Sequence, residues 1–110
     1  MTALNHIRVV ELANERIGFA GKLMGDMGAD VILVEPLEGD PSRSYPPFRN
    51  DEKGEGRSLY FWHYNTSKRS LTLDLDDATE RETFCALIKT ADVLLESEPT
   101  TRLATLGLDY

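Results

Sequence analysis

Few side chains in this sequence combine a reactive type with a setting that supports chemistry. His63 has the makings of a general base, but no Ser, Cys or carboxylate stands where it would evidently pair with it. Cys85 is the single cysteine; it falls inside a helical pattern and can support neither a disulfide framework nor a metal cluster. Glu35 closes an apolar run at the place where a dinucleotide-binding fold puts its ribose-binding acid, yet the pattern G-x-G-x-x-G is absent. What remains is positive charge and backbone. Lys68-Arg69, inside Asn65-Thr66-Ser67-Lys68-Arg69-Ser70, is the densest basic spot in an acidic chain. Arg43 and Arg49 stand in a loop segment and could reach an anion, although two solvated loop arginines is the simpler reading. Gly18 precedes a helical pattern, where exposed N–H groups can receive a phosphate or carboxylate. The types and spacings therefore favour holding an anionic small molecule over moving a proton.

These residues need a scaffold. The run Arg8 to Ala13 is apolar and rich in β-branched residues, Phe19 to Met27 repeats apolar residues at helical spacing, and Asp30 to Pro36 is a second β-branched run. That reads as strand, helix, strand, a unit that pairs in parallel through a right-handed crossover. Gly21 and Gly25 share one helix face, where a missing side chain lets helix and sheet approach, and Gly28 sits where a left-handed residue would end the helix. From Leu37 to Gly56 the pattern dissolves into a long loop of Gly, Pro, Ser and charged residues. Ser58 to Asn65 holds most of the aromatics and reads as a short helix, with Leu59, Phe61 and Trp62 expected to be buried. Alternation of Leu71, Leu73 and Leu75 marks a third strand entered through the basic turn at Lys68-Arg69. Asp77 to Glu80 opens a helix whose buried face carries Phe84, Cys85, Leu87, Ile88 and Ala91. Asp92 to Glu96 is a fourth strand, Ser97-Glu98-Pro99 a turn, and Thr100 to Leu106 a short final helix ended by Gly107.

Strand and helix alternate throughout, which predicts a Rossmann-like three-layer α/β sandwich with a parallel sheet of about four strands in the order 3-2-1-4 and helices on both faces. Ligands bind such sheets beyond the carboxyl ends of the strands, so Ala13–Gly18, Pro36–Gly39, Leu75–Asp77 and Ser97–Pro99 should gather on one rim.

Composition narrows the partners. With 110 residues, 41% of them hydrophobic, the chain suits one small domain. A net charge of -7 argues against duplex nucleic acid and anionic membranes, because neutralising phosphates takes a surplus of Lys and Arg. No basic start leads into an apolar core and no apolar run approaches bilayer length, so a soluble, cytoplasmic protein without a membrane partner is expected. No metal is expected either.

Several segments in register carry a resemblance. Val10-Glu11-Leu12, the run Gly21 to Pro36, Gly39-Asp40-Pro41-Ser42-Arg43, Ser58-Leu59-Tyr60-Phe61, the run Asn65 to Leu75, and Ala91 to Glu96 together resemble the start of class III CoA-transferases. That CaiB/BaiF-like family also holds formyl-CoA transferase and α-methylacyl-CoA racemase. The resemblance implies that residues 1–110 form the N-terminal CoA-binding part of a larger domain, with acyl-CoA and a carboxylic acid acceptor as partners and an interlocked homodimer as the assembly. It places CoA contacts on Leu73, Asp74, Leu75 and Asp76 after the third strand, on Ser97, Glu98 and Pro99 after the fourth, and on Arg16 and Ile17 before Gly18. Lys68 and Arg69 are expected to add charge. The family often has Asn-Phe where Ser97-Glu98 stand, and Glu98 beside a CoA phosphate is unfavourable unless it points away. No catalytic residue is expected here, because the family's aspartate nucleophile, which forms an aspartyl-CoA intermediate, follows a Gly-Tyr-Asp-like segment well downstream. An acyl-CoA racemase segment, or a non-catalytic CoA-binding or interaction module, is the alternative.

Overall fold

The computed structural model describes residues 3–14, 16–54, 56–98 and 103. The two β-branched runs become the central strands β1 (Arg8–Leu12) and β2 (Asp30–Glu35), flanked by β3 (Lys68–Thr72) and β4 (Val93–Leu95). All pairings are parallel and the order is β3-β2-β1-β4, as the sequence predicts. Central strands of a parallel sheet are covered on both faces. That explains why Val9-Val10 and Val31-Ile32-Leu33-Val34 read as continuous rather than alternating apolar runs, and all six are buried.

The pleat sends successive side chains to opposite faces. Val10, Leu12, Ile32 and Val34 meet Phe84, Leu87 and Ile88 of α3 (Ala78–Ile88) in one core. Val9, Val31 and Ala29 meet Met24 of α1 (Gly18–Asp26) in the other. By the same alternation, Glu11, Leu33 and Glu35 share the α1 face with Lys68, which pairs with Val31 across the ladder, and with Ser70, which pairs with Leu33. The α1 face is thus apolar at the amino ends of the strands and charged toward their carboxyl ends.

Local signals account for the helices. Asp77 caps α3 by accepting the Thr79 and Glu80 amides, while Glu80 Oε2 reaches back to accept the Asp74 amide at 2.6 Å. Ser58 caps the short α2 (Leu59–Tyr64) by accepting the Phe61 amide. Two expectations need correction here. Leu59 and Trp62 are 37% and 45% exposed, because α2 packs through Tyr60, Phe61 and Tyr64. The third strand begins at Lys68, so the basic pair lies in the edge strand and not in a turn before it; Leu73 follows the strand and Leu71 is exposed where α3 does not cover the edge. Leu103 packs against the α3 core; the rest of the expected final helix lies outside the described residues, as does Pro99.

Candidate functional site

Glu35, at the carboxyl end of β2, organises the loop that follows it. Its carboxylate is 2% exposed and receives Arg43 in a fork, Nε to Oε2 at 2.7 Å and Nη2 to Oε1 at 2.6 Å. The Asp40 amide and the Ser70 hydroxyl each add a bond at 2.9 Å. Burial alone would raise this carboxyl, but the Arg43, Asp40 and Ser70 hydrogen bonds outweigh it and hold Glu35 below the ordinary carboxylate range. The Arg43 guanidinium also lies 4.0 Å above the centre of the Phe61 ring, joining the loop to α2. Gly39 makes room for this, with φ +85° and a Cβ position only 2.9 Å from Arg43 Cδ. Arg43 is therefore neither a solvated loop residue nor a ready anion site. Glu35 is a structural anchor whose oxygens are already engaged.

Around this anchor the strand ends form a rim. A cleft of ≈ 370 Å³ is walled by Leu12 and Ala13 at the end of β1, Val34 to Glu38 at and beyond the end of β2, Leu73 to Asp76 after β3, and Glu98 after β4. The structure thus brings together Leu75, Asp76 and Glu98, which sheet topology places on the rim, with Leu73 and Asp74, which the resemblance adds. Beyond Glu35, a second cleft of ≈ 560 Å³ is lined by Arg43, Phe48, Lys53 and Thr72 among others. The first cleft is acid-rich, and most rim amides are spent internally. The Leu73 amide donates to the Glu35 carbonyl, the Asp74 amide to Glu80, the Asp76 amide to Asp74 Oδ1 and the Glu98 amide to Glu96 Oε2. Such a surface offers acceptors, and it suits hydroxyl and amide N–H groups better than phosphates.

The remaining sequence-selected residues lie elsewhere. Lys68 is sealed under α1, its side chain 1% exposed. Its Nζ donates to Glu11 Oε2 at 3.0 Å, the Gly18 carbonyl at 3.0 Å and Asn65 Oδ1 at 2.8 Å, which uses all three protons. Burial pushes the Glu11 carboxyl up, against the opposing hydrogen bond and charge of Lys68. Arg69 pairs with Asp30 at the amino end of β2, away from the rim. Arg16 is exposed and Ile17 half-buried; neither lines the two clefts, and the Ile17 and Gly18 amides both donate to the Asn14 carbonyl. Ser97 Oγ is buried without a hydrogen-bond partner among the described residues. His63 is exposed and stands edge-on to Tyr64. Sequence reasoning missed the pairs Glu11–Lys68 and Glu35–Arg43. The available signal was the pair of carboxylates inside otherwise apolar central strands, because such groups are seldom buried without a cation.

Comparison with known proteins gives this rim a lineage. The profile described as CoA-transferase family III matches residues 4–110. The chain belongs to that family. It is 44% identical over 98 residues to a succinyl-CoA:mesaconate CoA-transferase of Haloarcula hispanica, covering 88% of this chain and 25% of the relative. It is 43% identical over 111 residues to a succinate–glutarate CoA-transferase of Agrobacterium fabrum, covering 97% and 28%. A solved CAIB/BAIF family protein from Brucella suis superposes with a TM-score of 0.87 at 37% identity, over 99% of this chain and 29% of that one. The chain spans about a quarter of the length of the curated relatives it matches.

Proposed function

We propose that this chain supplies part of the CoA-binding rim of an acyl-CoA transferase, one that moves CoA between carboxylic acids through an aspartyl-CoA intermediate. The observation that carries this reading is the cleft at the strand ends, where Leu73 to Asp76 and Glu98 converge. No carboxylate described here takes the role of nucleophile, which belongs to another part of the parent enzyme; this chain alone binds and does not catalyse.

The acid lining decides which part of CoA rests there. Asp74, Asp76 and Glu98 repel phosphates but accept from the pantetheine amides, the ribose hydroxyls and the adenine amino group. Lys68 and Arg69 are engaged elsewhere, so the phosphates are held toward solvent or by the rest of the parent enzyme. Each charged hydrogen bond contributes about 1.5 to 3 kcal/mol, against at least about 4 kcal/mol of lost translational and rotational freedom. Two or three contacts leave a weak site.

Calorimetry with CoA and with pantetheine at low and moderate salt tests this. Weak binding of both is expected, with CoA affinity steady or rising as salt screens the like charges. A steep fall in CoA affinity with salt would place the phosphates on basic residues and overturn the assignment. No heat from either ligand would remove the rim as a binding site.

A further inference from the structure

β3 is an edge of the sheet: it pairs with β2 and closes the order on that side. In a parallel pair, successive residues turn their amide and carbonyl alternately toward the neighbouring strand and away from it. The Leu73 amide donates to the Glu35 carbonyl, so Arg69 and Leu71 face β2 while Lys68, Ser70 and Thr72 face outward. Among the described residues, nothing pairs with the amides and carbonyls of Ser70 and Thr72, and residues 69–72 are all exposed. A row of unmet main-chain donors and acceptors is a template for another strand.

Sheet edges are normally guarded by a free lysine, a proline or a bulge. This one is not. The Lys68 ammonium is sealed under α1, β3 contains no proline, and its ladder to β2 runs one to one from Val31–Lys68 to Glu35–Thr72 without a bulge. Alternation puts the Ser70 and Thr72 side chains on the α1 face, where both line the ≈ 560 Å³ cleft together with Ser44, Phe48 and the oppositely charged Glu38 and Lys53. A strand laid along β3 thus meets main-chain groups on the edge and a pocket for its alternate side chains, the two features that strand addition uses.

Charge selects the occupant. From Thr66 to Thr72 the chain carries two basic residues and no acid, within a protein of net charge -7. On the face away from the cleft, Arg69 is 65% exposed and shares the Asp30 carboxylate with Arg8, so one carboxylate serves two guanidinium groups. A second copy would bring this basic stretch against itself, whereas an acidic strand is attracted to it. We propose that the free edge of β3 binds an extended acidic peptide as an added strand, with alternate side chains seated in the ≈ 560 Å³ cleft. The site is independent of the CoA assignment, because it runs along the outer side of β3 and uses the main chain of Ser70 and Thr72.

The test is an NMR titration of the isotopically labelled 110-residue chain with an end-blocked heptapeptide of alternating glutamate and valine. Saturable shifts and slowed amide exchange at Ser70 and Thr72 are expected, because their N–H groups gain acceptors. The same peptide with every amide N-methylated should bind at least about tenfold more weakly, the increment of one or two main-chain hydrogen bonds. A lysine-valine peptide should bind at least about threefold more weakly at low salt, with the gap closing as salt rises. Thr72→Pro removes an outward N–H and leaves the β2 ladder intact, so it should weaken the glutamate-valine peptide about tenfold. The N-methylated comparison uses the unsubstituted chain, so the test stands even if that variant unfolds. Equal binding of the N-methylated or the lysine-valine peptide, no saturation, or shifts centred away from β3 would each overturn the site. Shifts at Ser70 and Thr72 that grow with chain concentration before peptide is added would give the edge to a second copy and overturn it too.

Discussion

Lys68→Met removes the ammonium under α1 while keeping most of the stem, and its cost follows from what surrounds Glu11. The Glu11 and Lys68 side chains are each 1% exposed, with Lys68 Nζ 2.9 Å from Oε1 and 3.0 Å from Oε2. Deleting one partner of a buried pair leaves the other charge stranded and costs about 3–5 kcal/mol, a large share of the roughly 5–15 kcal/mol that holds a domain together. The cost depends on pH in a fixed direction. Burial already raises the Glu11 carboxyl and Lys68 opposes that rise, so the variant raises it further. A carboxyl raised on folding binds its proton more tightly in the folded state, so stability is retained below the ordinary carboxylate value, about 4.3. It is lost as pH climbs from there through the raised folded value. The deficit of Lys68→Met should therefore be largest near pH 7.5 and shrink toward pH 5. Adding Glu11→Gln should recover more than half of it at neutral pH. Urea unfolding followed by far-ultraviolet circular dichroism at both pH values measures this. A neutral-pH loss below about 1 kcal/mol, or one that does not change with pH, would refute the reasoning.

Gly21→Ala would ordinarily stabilise a helix by about 1 kcal/mol. Here its Cβ would come within 1.8 Å of Glu11 Oε1 and 3.1 Å of Lys68 Cε, so urea unfolding should show a loss instead. Glu35→Gln strands the Arg43 fork and should cost about 2–4 kcal/mol. Because Glu35 is held below the usual range, that difference is present above the ordinary carboxylate value and fades as acid protonates Glu35 in the parent, which a pH series of unfolding curves reads. Glu98→Gln removes a like charge beside the rim cleft and should tighten CoA roughly two- to fivefold by calorimetry. Phe19 and Leu23 on α1, Met27 just after it and Trp62 on α2 are between 45% and 53% exposed, so sedimentation should show self-association of the isolated chain.

The sheet was legible because its evidence is local: two β-branched runs, a helical repeat between them, and an Asp-capped helix before Val93. Topology alone pointed to a rim at the strand ends, and Ala13, Pro36 to Glu38, Leu75, Asp76 and Glu98 do share a cleft; Leu73 and Asp74, expected only from the family resemblance, line it too. Charge pairing was not legible, because it depends on register. Lys68 looks like part of a solvent-facing basic turn until the ladder aligns it with Val31 and delivers its ammonium to Glu11, 57 residues earlier. Arg43 looks like a loop residue until the turn after β2 folds it back eight positions onto Glu35. Trp62 and Leu59 read as core by type, yet a helix of six residues packed against α1 and the turn at Pro41–Ser44 buries only one side.

The central claim is that CoA meets this chain at the carboxyl ends of the strands. Titrating CoA into the isotopically labelled chain and following backbone amide shifts tests it most directly. The account predicts weak, saturable shifts confined to Ala13, Leu37, Glu38, Leu73 to Asp76 and Glu98, with Lys68 and Arg69 unmoved. Shifts centred on Arg69 and Asp30 at the opposite end of the sheet, or no saturable shift at the rim, would contradict it.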